Sequence, residues 1–522
     1  MSNVTGKAAD TGPAAAPVAS GPVVPRDPPD LLTRIACWSS AIGITSSIVI
    51  MIAAAAARNS WSAPRAALPA TGPPWGISPH LPFTIVTLAL WAAAVLGGGG
   101  VAAGLIAVGR GARPPARLLI TASLAAVAVL TVLPPAGSTD ALDYAVYGRI
   151  VELGHSPYLM TPAQLQRADH PAGLVSPATW QNYVSVYGPA ATAEQLAAAE
   201  LGGTSALRTA FWLKLWASLG FGVVLLALDL LLRADPGRRA RAHLLWSVNP
   251  LLLWILVAAG HVDLMPAAAG LLGLVVLGGG WKAGGPPLGR ALAAGLLVGL
   301  AADFRITYVL FGAGIAWATR RCAVAMLTAA AGALAVLVPS YLWFGLPAVR
   351  ALVSRSDAVT AQTSFYRLLH VPPRPGAIVL LLSAALFAVV GALMLRRLPD
   401  GVPALPAIQP ALALSIAWLF VWSYQQPWYD TMAICLLALF PASRLDWLVL
   451  GRLFIATATA MPGTSGQLSH MSYLAPVYND LRFVVMPAVM LAAVASLVWL
   501  CLSRAWQMSP PAPRQAKLTM VI

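Results

Sequence analysis

Long apolar runs recur between residues 31 and 503, and they constrain the fold more than any other feature of the chain. A helix needs about 20 apolar residues to cross a bilayer, because hydrocarbon offers no partner for backbone N–H and C=O groups. The runs ending near Asp303 and starting near Tyr429 are shorter and predict tilted or re-entrant helices in contact with protein. The sequence therefore predicts an all-α, polytopic integral membrane protein with about 12–14 membrane helices. The candidate runs are 31–57, 81–109, 117–136, 205–232, 243–260, 262–280, 291–303, 306–319, 322–345, 376–395, 403–424, 429–442, 445–461 and 483–503.

The composition supports this class and argues against several others. Of the 522 residues, 58% are hydrophobic and only 10% are charged, whereas soluble domains carry about 25% charged residues. The net charge of +15 does not indicate nucleic-acid binding, because the basic residues lie in small clusters between apolar runs. The four cysteines lack a metal-ligand spacing, and no Walker P-loop or Rossmann fingerprint occurs. We therefore predict no metal site, no cofactor and no nucleotide-driven transport.

The distribution of basic residues predicts the orientation. Clusters at 110–117 and 233–241 lie in short connections, where excess positive charge marks the cytoplasmic side. Both termini are therefore predicted to be cytoplasmic. Residues 1–30 form an Ala-, Pro- and Gly-rich tail that is predicted to be disordered, and 506–522 form a second tail. A single membrane-embedded domain is predicted over 31–505.

This orientation places two loops of opposite charge on the outer face. Residues 137–205 are predominantly acidic, whereas 346–375 are predominantly basic. Asp140 and Asp143 directly follow the third apolar run and share one face if this segment is helical. A partly desolvated carboxylate here suits a general base. An interfacial helix capped by the preceding Ser or Thr explains the same residues.

Two polar clusters interrupt the later apolar runs. His261 and Asp263 follow Gly260, and this turn suits either a hydroxylated ligand or the caps of two helices. Asp303 and Arg305 lie between two short runs, where ionisable side chains are costly and usually face a cavity or form a pair. Arg305 is expected either to bind a phosphate through its planar guanidinium or to pair with Asp303.

Aromatic and basic residues in the outer loops add further candidates. Tyr158 and Tyr187 stand beside turn-forming residues and suit either a structural turn or stacking on a sugar ring. Arg367 and His370 suit either the leaving phosphate of a donor or contact with lipid headgroups. The segment 422–430 is dense in aromatic residues, and an aromatic belt at the membrane interface explains much of it.

The order and spacing of these motifs resemble those of actinobacterial polyprenol-phosphate-mannose-dependent α-(1→6)-mannosyltransferases. Members of that family are integral-membrane glycosyltransferases with the type C architecture. The resemblance covers about residues 135–440, and Arg305 stands where the family tends to have Lys. Leu142 and Asp143 replace the Tyr-Ser of its first motif, and Val262 replaces an Asn. The matching residues are Asp140, Tyr144, Gly148-Arg149, Gly154, Pro157-Tyr158, Tyr187-Gly188-Pro189, Asn249-Pro250 (which also predicts a kink), and Gly260-His261 with Asp263.

This resemblance implies a plasma-membrane enzyme of cell-envelope glycan synthesis, including lipomannan. It would transfer mannose on the extracytoplasmic face, without a metal and with inversion, to form α-(1→6) linkages. The implied partners are a polyprenyl-phosphate-mannose donor lipid and a mannan or lipoglycan acceptor, besides the membrane lipids. Asp140 maps onto the family's catalytic carboxylate, and we expect Asp143 to assist it. We further expect the donor phosphate at Arg305, Arg367 and His370, and sugar or acceptor contacts at Tyr158, Tyr187, His261 and Asp263.

Two other functions stay open on the sequence. A secondary transporter or flippase of a lipid-linked sugar is compatible with the short runs, although we find no convincing internal repeat between the halves of the chain. A sister enzyme that uses polyprenyl-phosphate arabinose would differ only in the sugar.

Overall fold

A computed structural model describes residues 30–57, 68–77, 81–168, 180–281, 285–354, 364–369, 377–424, 426–461 and 475–506. The described residues form helices and connecting turns and contain no β-strand, which confirms the predicted all-α class. The two predicted tails fall outside the described residues except at Asp30 and Trp506.

The α-helices are numbered α1 to α20 in chain order, and short 3-10 and π segments join some of them. The 3-10 segments are Ile306–Tyr308, Phe365–Leu369 and Pro427–Asp430, and the π segments are Leu253–Ala258 and Leu481–Val485. The α-helices are α1 (Leu31–Ala56), α2 (Phe83–Gly109), α3 (Ala116–Val132), α4 (Asp140–Glu152), α5 (Pro162–Arg167), α6 (Pro189–Gly202), α7 (Ala206–Leu231), α8 (Pro236–Leu245), α9 (Pro250–Leu252), α10 (Leu264–Leu277), α11 (Leu288–Phe304), α12 (Val309–Thr319), α13 (Ala323–Phe344), α14 (Leu346–Ser354), α15 (Ala377–Arg397), α16 (Ile408–Val421), α17 (Thr431–Leu437), α18 (Arg444–Ala460), α19 (Ala475–Asp480) and α20 (Met486–Ser503).

Several helices are long and apolar enough to cross a bilayer, so the chain is a polytopic membrane protein. Their outer faces carry large apolar side chains such as Trp343, which is 85% exposed, as a lipid-facing surface requires. The number of about 12–14 membrane helices stays a prediction. In the described part of the chain, seven helical segments are long and apolar enough, two of which combine several numbered elements (Pro236–Ala258 and Ala475–Ser503): Leu31–Ala56, Thr84–Gly109, Ala206–Leu231, Pro236–Ala258, Ala323–Phe344, Ile378–Arg397 and Ala475–Ser503. Shorter apolar helices are Ala116–Val132, Leu264–Leu277, Ile306–Thr319 and Ile408–Val421.

Between α3 and α7, the described residues form three helices, α4, α5 and α6. α4 packs on α6 and α7, and it is buried along most of its length. The crossing of α4 and α6 depends on Gly148, because a Cβ at that position would overlap the carbonyl oxygen of Gln195. The close approach fixes α4, and therefore the two aspartates of its first turn, against α6.

A buried lysine closes the end of α3 just before that first turn. Lys214 of α7 donates from Nζ to the carbonyl oxygens of Leu130 at 2.5 Å, Leu133 at 2.8 Å and Pro134 at 3.3 Å. These carbonyls belong to the last turn of α3 and the residues beyond it, which have no partners within a helix. Lys214 thereby ties the chain that leads into Asp140 to a long helix.

The expected break at Asn249-Pro250 is present. α8 ends at Leu245, and the Asn249 side chain then donates to the Leu245 carbonyl at 3.0 Å and accepts from the Leu251 N–H at 3.1 Å. Proline cannot donate a helical hydrogen bond, so the helix is interrupted and resumes at Pro250. The following π segment ends at a turn in which Gly260 has φ +71°. The chain stays buried through this turn, and His261 lies in the interior directly after it.

The short run near Tyr429 is enclosed by protein, as its length predicts. Every residue of α17 is buried. Just before α17, Asp430 forms a fully buried ion pair with Arg452 of α18. At the other end of α17, Arg241 donates to the Phe440 carbonyl at 2.6 Å and pairs with Asp446. α17 is therefore held at both ends by buried arginines.

We predict that Gly148→Ala destabilises the protein by about 1–3 kcal/mol, because overpacking at the α4–α6 crossing outweighs the better helix propensity of alanine. The thermal unfolding temperature of the purified protein in detergent measures this effect. Gly222→Ala in α7 is the matched control, because no atom lies within 4 Å of a Cβ there. An equal or higher unfolding temperature for Gly148→Ala would show that the crossing tolerates a methyl group.

Candidate active site

A cavity of about 600 Å³ lies between the α4–α6 segment and the second half of the chain. Such a volume suits a small-molecule site of ordinary size. Its wall contains two carboxylates, one arginine and many aromatic and apolar side chains. The lining residues are Asp140, Asp143, Tyr147, Trp180, Tyr183, Val186, Tyr187, Arg305, Ile306, Thr307, Val309, Leu310, Leu352, Ala384, Phe387, Trp418, Trp422, Tyr424, Trp428 and Tyr429.

The two aspartates occupy the first turn of α4 and line the cavity together. Their spacing of three residues places both on one helix face, as expected. The indole Nε1 of Trp180 donates to Oδ1 of Asp140 at 3.2 Å. Nδ1 of His261 lies 3.9 Å from the other carboxylate oxygen of Asp140. The Trp180 hydrogen bond therefore orients the Asp140 carboxylate, and His261 lies near it from another segment.

Arg305 lies in the same cavity, and its partner is Asp263. Its Nη1 donates to both carboxylate oxygens of Asp263, at 2.7 and 2.6 Å. The guanidinium carbon also lies 4.2 Å from the centre of the Tyr429 ring. The alternative of an Arg305–Asp303 pair was wrong, because α11 ends between these residues and Arg305 turns toward the start of α10. Asp263 thus contacts the candidate phosphate-binding arginine.

His261 and two tyrosines form a polar core beneath the cavity. The Tyr144 hydroxyl lies 3.2 Å from Nδ1 of His261 and 3.0 Å from the Tyr187 hydroxyl. The His261 ring stacks on Trp428, with 3.9 Å between the ring centres. Burial raises the pKa of Tyr144 and Tyr187, so both phenols stay protonated and able to donate. This core connects α4 to the 260–263 turn and to the aromatic segment near 428.

Of the described candidate residues, Tyr158 and Arg367 are not among the lining residues, and neither are His261 and Asp263 beneath the wall. The Tyr158 hydroxyl donates to the Tyr187 carbonyl at 2.9 Å and contacts Thr192 Oγ1 at 2.8 Å, so the side chain supports the wall from behind. The Arg367 guanidinium lies 4.8 Å from the centre of the Phe483 ring and is not among the lining residues. His370 falls outside the described residues. Their roles in sugar or phosphate binding stay predictions.

The aromatic residues of the wall were the part of the site that sequence reasoning missed. Trp422, Tyr424, Trp428 and Tyr429, which the sequence assigns to a membrane belt, line the cavity instead. Trp180 received no assignment, although its position in the acidic loop was the available signal. Among the described residues, no cluster of three or more His, Cys, Asp or Glu side chains is arranged to hold a metal ion.

Comparison with known proteins places these residues in a family. A family model described as "Alpha-(1->6)-mannopyranosyltransferase, N-terminal domain" matches residues 40–321, more than half of the chain. The chain belongs to this family. The alpha-(1->6)-mannopyranosyltransferase match contains Asp140, Asp143, His261, Asp263 and Arg305 and ends before the aromatic segment near 428.

A similar protein named as a probable alpha-(1->6)-mannopyranosyltransferase occurs in Mycolicibacterium smegmatis. It is 29% identical over 164 residues, which cover 31% of this chain and 29% of the relative. The alignment thus spans less than a third of that alpha-(1->6)-mannopyranosyltransferase relative. No solved structure matches the chain.

We predict that Asp263→Leu destabilises the protein by about 3–5 kcal/mol, because it leaves the largely buried Arg305 guanidinium without its carboxylate. The double variant Asp263→Leu with Arg305→Met should recover most of this loss, because both charges are then absent. Thermal unfolding of the wild type, both single variants and the double variant gives the coupling between the two residues. Additive effects would contradict a direct interaction.

Proposed function

We propose that the protein is an α-(1→6)-mannosyltransferase that uses a polyprenyl-phosphate-mannose donor and a mannan or lipoglycan acceptor. Family membership supports the transferred sugar and the linkage. The observation that carries the proposal is that Asp140 and Arg305 line one cavity. A transfer from a sugar phosphate needs a base for the acceptor hydroxyl and a cation for the departing phosphate.

In the proposed reaction, the Asp140 carboxylate accepts the proton of the acceptor hydroxyl. The hydroxyl oxygen forms a bond to the anomeric carbon of mannose while the bond from that carbon to the phosphate oxygen breaks. The electron pair of the broken bond leaves with the lipid phosphate, and Arg305 stabilises its charge. A single displacement of this kind inverts the anomeric carbon. Asp143 lies on the same helix face and adds negative potential near the acceptor proton.

The lipid character of the donor has support from the rest of the cavity wall. Val309, Leu310, Leu352, Ala384 and Phe387 give the cavity an extensive apolar lining next to Arg305. An apolar lining beside a cation suits an isoprenoid phosphate better than a soluble nucleotide sugar. Nucleotide sugars are cytoplasmic, so an extracytoplasmic site needs a donor that is carried in the membrane. We propose that the termini are cytoplasmic, that the cavity opens outside and that the protein lies in the plasma membrane.

We expect Asp140→Asn to lower kcat for mannose transfer by about 10²–10⁴-fold, because the acceptor proton loses its base. Donor KM should change little, since the cavity keeps its shape. Transfer from a short-chain polyprenyl-phosphate mannose to octyl α-(1→6)-dimannoside, measured with purified protein, provides the readout. The same assay with polyprenyl-phosphate arabinose tests the sister reaction.

Two comparisons make this result specific. Asp143→Asn should lower kcat less than Asp140→Asn, and Asp400→Asn, at an exposed residue remote from the cavity, should leave it unchanged. Full activity of a folded Asp140→Asn protein would overturn the base assignment. Absence of any transfer by the wild type, together with movement of lipid-linked sugar in proteoliposomes, would favour the transporter.

Cysteine labelling tests the orientation. In a background that lacks Cys37 and Cys322, Ala168→Cys in the acidic loop should react with a membrane-impermeant maleimide added to intact spheroplasts. Asp400→Cys should react only after permeabilisation, because the basic residues Arg396 and Arg397 beside it indicate the cytoplasmic side. The reverse pattern would remove the argument for a lipid donor.

A further inference from the structure

Two aromatic side chains stand beside Asp140 on the cavity wall. Trp180 and Tyr183 line the cavity with their ring centres 6.0 Å apart and their planes inclined by 70°. Tyr183 is 40% exposed and Trp180 is half-buried. Two such rings meeting at an edge form an apolar corner of the cavity wall.

Hydrogen bonds hold this corner against α4. The Tyr183 N–H donates to the Trp180 carbonyl at 2.9 Å, which closes a turn between the two residues. The Tyr147 hydroxyl, from α4, donates to the Tyr183 carbonyl at 3.0 Å. The Trp180 indole donates to Asp140, also on α4. The helix that carries the candidate base therefore also positions both rings.

The geometry of displacement decides which substrate lies here. In an inverting transfer, the attacking oxygen and the departing oxygen lie on opposite sides of the anomeric carbon. The acceptor must therefore lie on the side of the base, and the lipid phosphate on the side of Arg305. The Trp180 indole donates a hydrogen bond to Asp140, whereas the Arg305 guanidinium lies over the Tyr429 ring. The corner formed by Trp180 and Tyr183 is therefore on the acceptor side of the reacting carbon.

The chemistry of the corner suits a sugar ring. One face of a mannose residue presents C–H groups, which pack on an aromatic ring through dispersion and burial of apolar surface. The hydroxyl groups at the edge of the sugar stay free to meet the polar atoms around them. Ring faces inclined to one another hold a sugar more firmly than a single flat ring, since they contact two of its sides.

We propose that Trp180 and Tyr183 form the binding platform for the acceptor sugar that carries the attacking hydroxyl. The proposal rests on the proposed mannosyltransferase function and adds the location of its acceptor. It assigns to these two rings the stacking role that the sequence suggested for Tyr158 and Tyr187. It also gives Trp180 two contacts, one through its ring to the acceptor and one through its N–H to Asp140.

The test measures acceptor and donor binding separately. Trp180→Ala and Tyr183→Ala should each raise the KM for octyl α-(1→6)-dimannoside by about tenfold, equivalent to about 1.4 kcal/mol. Donor KM should stay within about twofold. Trp180→Phe keeps an aromatic ring but loses the N–H, so acceptor KM should stay near the wild-type value while kcat falls. Trp317→Ala, at an aromatic residue away from the cavity, is the matched control.

Calorimetric titration of the same dimannoside into donor-free protein makes the test independent of turnover. Weaker binding by Trp180→Ala, in protein whose unfolding temperature matches the wild type, supports the platform. Unchanged dimannoside affinity, or a rise in donor KM alone, would overturn it. If the wild type binds the dimannoside more tightly than Trp180→Ala does but transfers no mannose, the platform stands and the proposed reaction fails. If the wild type does not bind the dimannoside, the platform fails.

Discussion

Charged side chains buried in the apolar interior limit how the helices can pack. An ion in such surroundings is tolerated only with a partner, because solvation by water is lost. Asp263–Arg305, Asp430–Arg452 and Arg241–Asp446 meet this requirement, and each joins segments that are distant in the chain. The pairs fix the start of α10 to the end of α11 and hold α17 at both ends. Arg305 follows α11 and Tyr429 precedes α17, so these pairs also fix the part of the cavity wall that contains Arg305 and Tyr429.

Removal of one partner is therefore more damaging than removal of both. The energy of the pair itself contributes little to stability, because attraction between the charges mostly offsets the loss of water. Its effect is on specificity of structure: only one arrangement of α10 and α11 gives Asp263 and Arg305 each other as partners. The same pairing leaves the far side of the guanidinium available to a negative group in the cavity.

The sequence predicted the elements better than their contacts. Apolar length predicted the long helices, because spanning a bilayer requires about 20 residues whatever the neighbours are. The spacing of Asp140 and Asp143 predicted a shared face, because helical periodicity is local. Local rules did not identify the partner of Arg305, since Asp263 is brought to it by the packing of α10 on α11. The orientation of the Trp428 ring could not be predicted locally either, because it is set by stacking on the His261 ring.

The boundary of the family match divides the cavity wall into two portions. Both reacting groups of the proposed chemistry, Asp140 and Arg305, lie within residues 40–321, whereas Trp418, Trp422, Tyr424 and Trp428 lie beyond them. Substitutions in the later portion can reshape the space for a sugar or a lipid without moving the base or the cation. Variation beyond residue 321 therefore changes one part of the wall, whereas Asp140, Arg305 and the proposed platform of Trp180 and Tyr183 all lie within the matched portion.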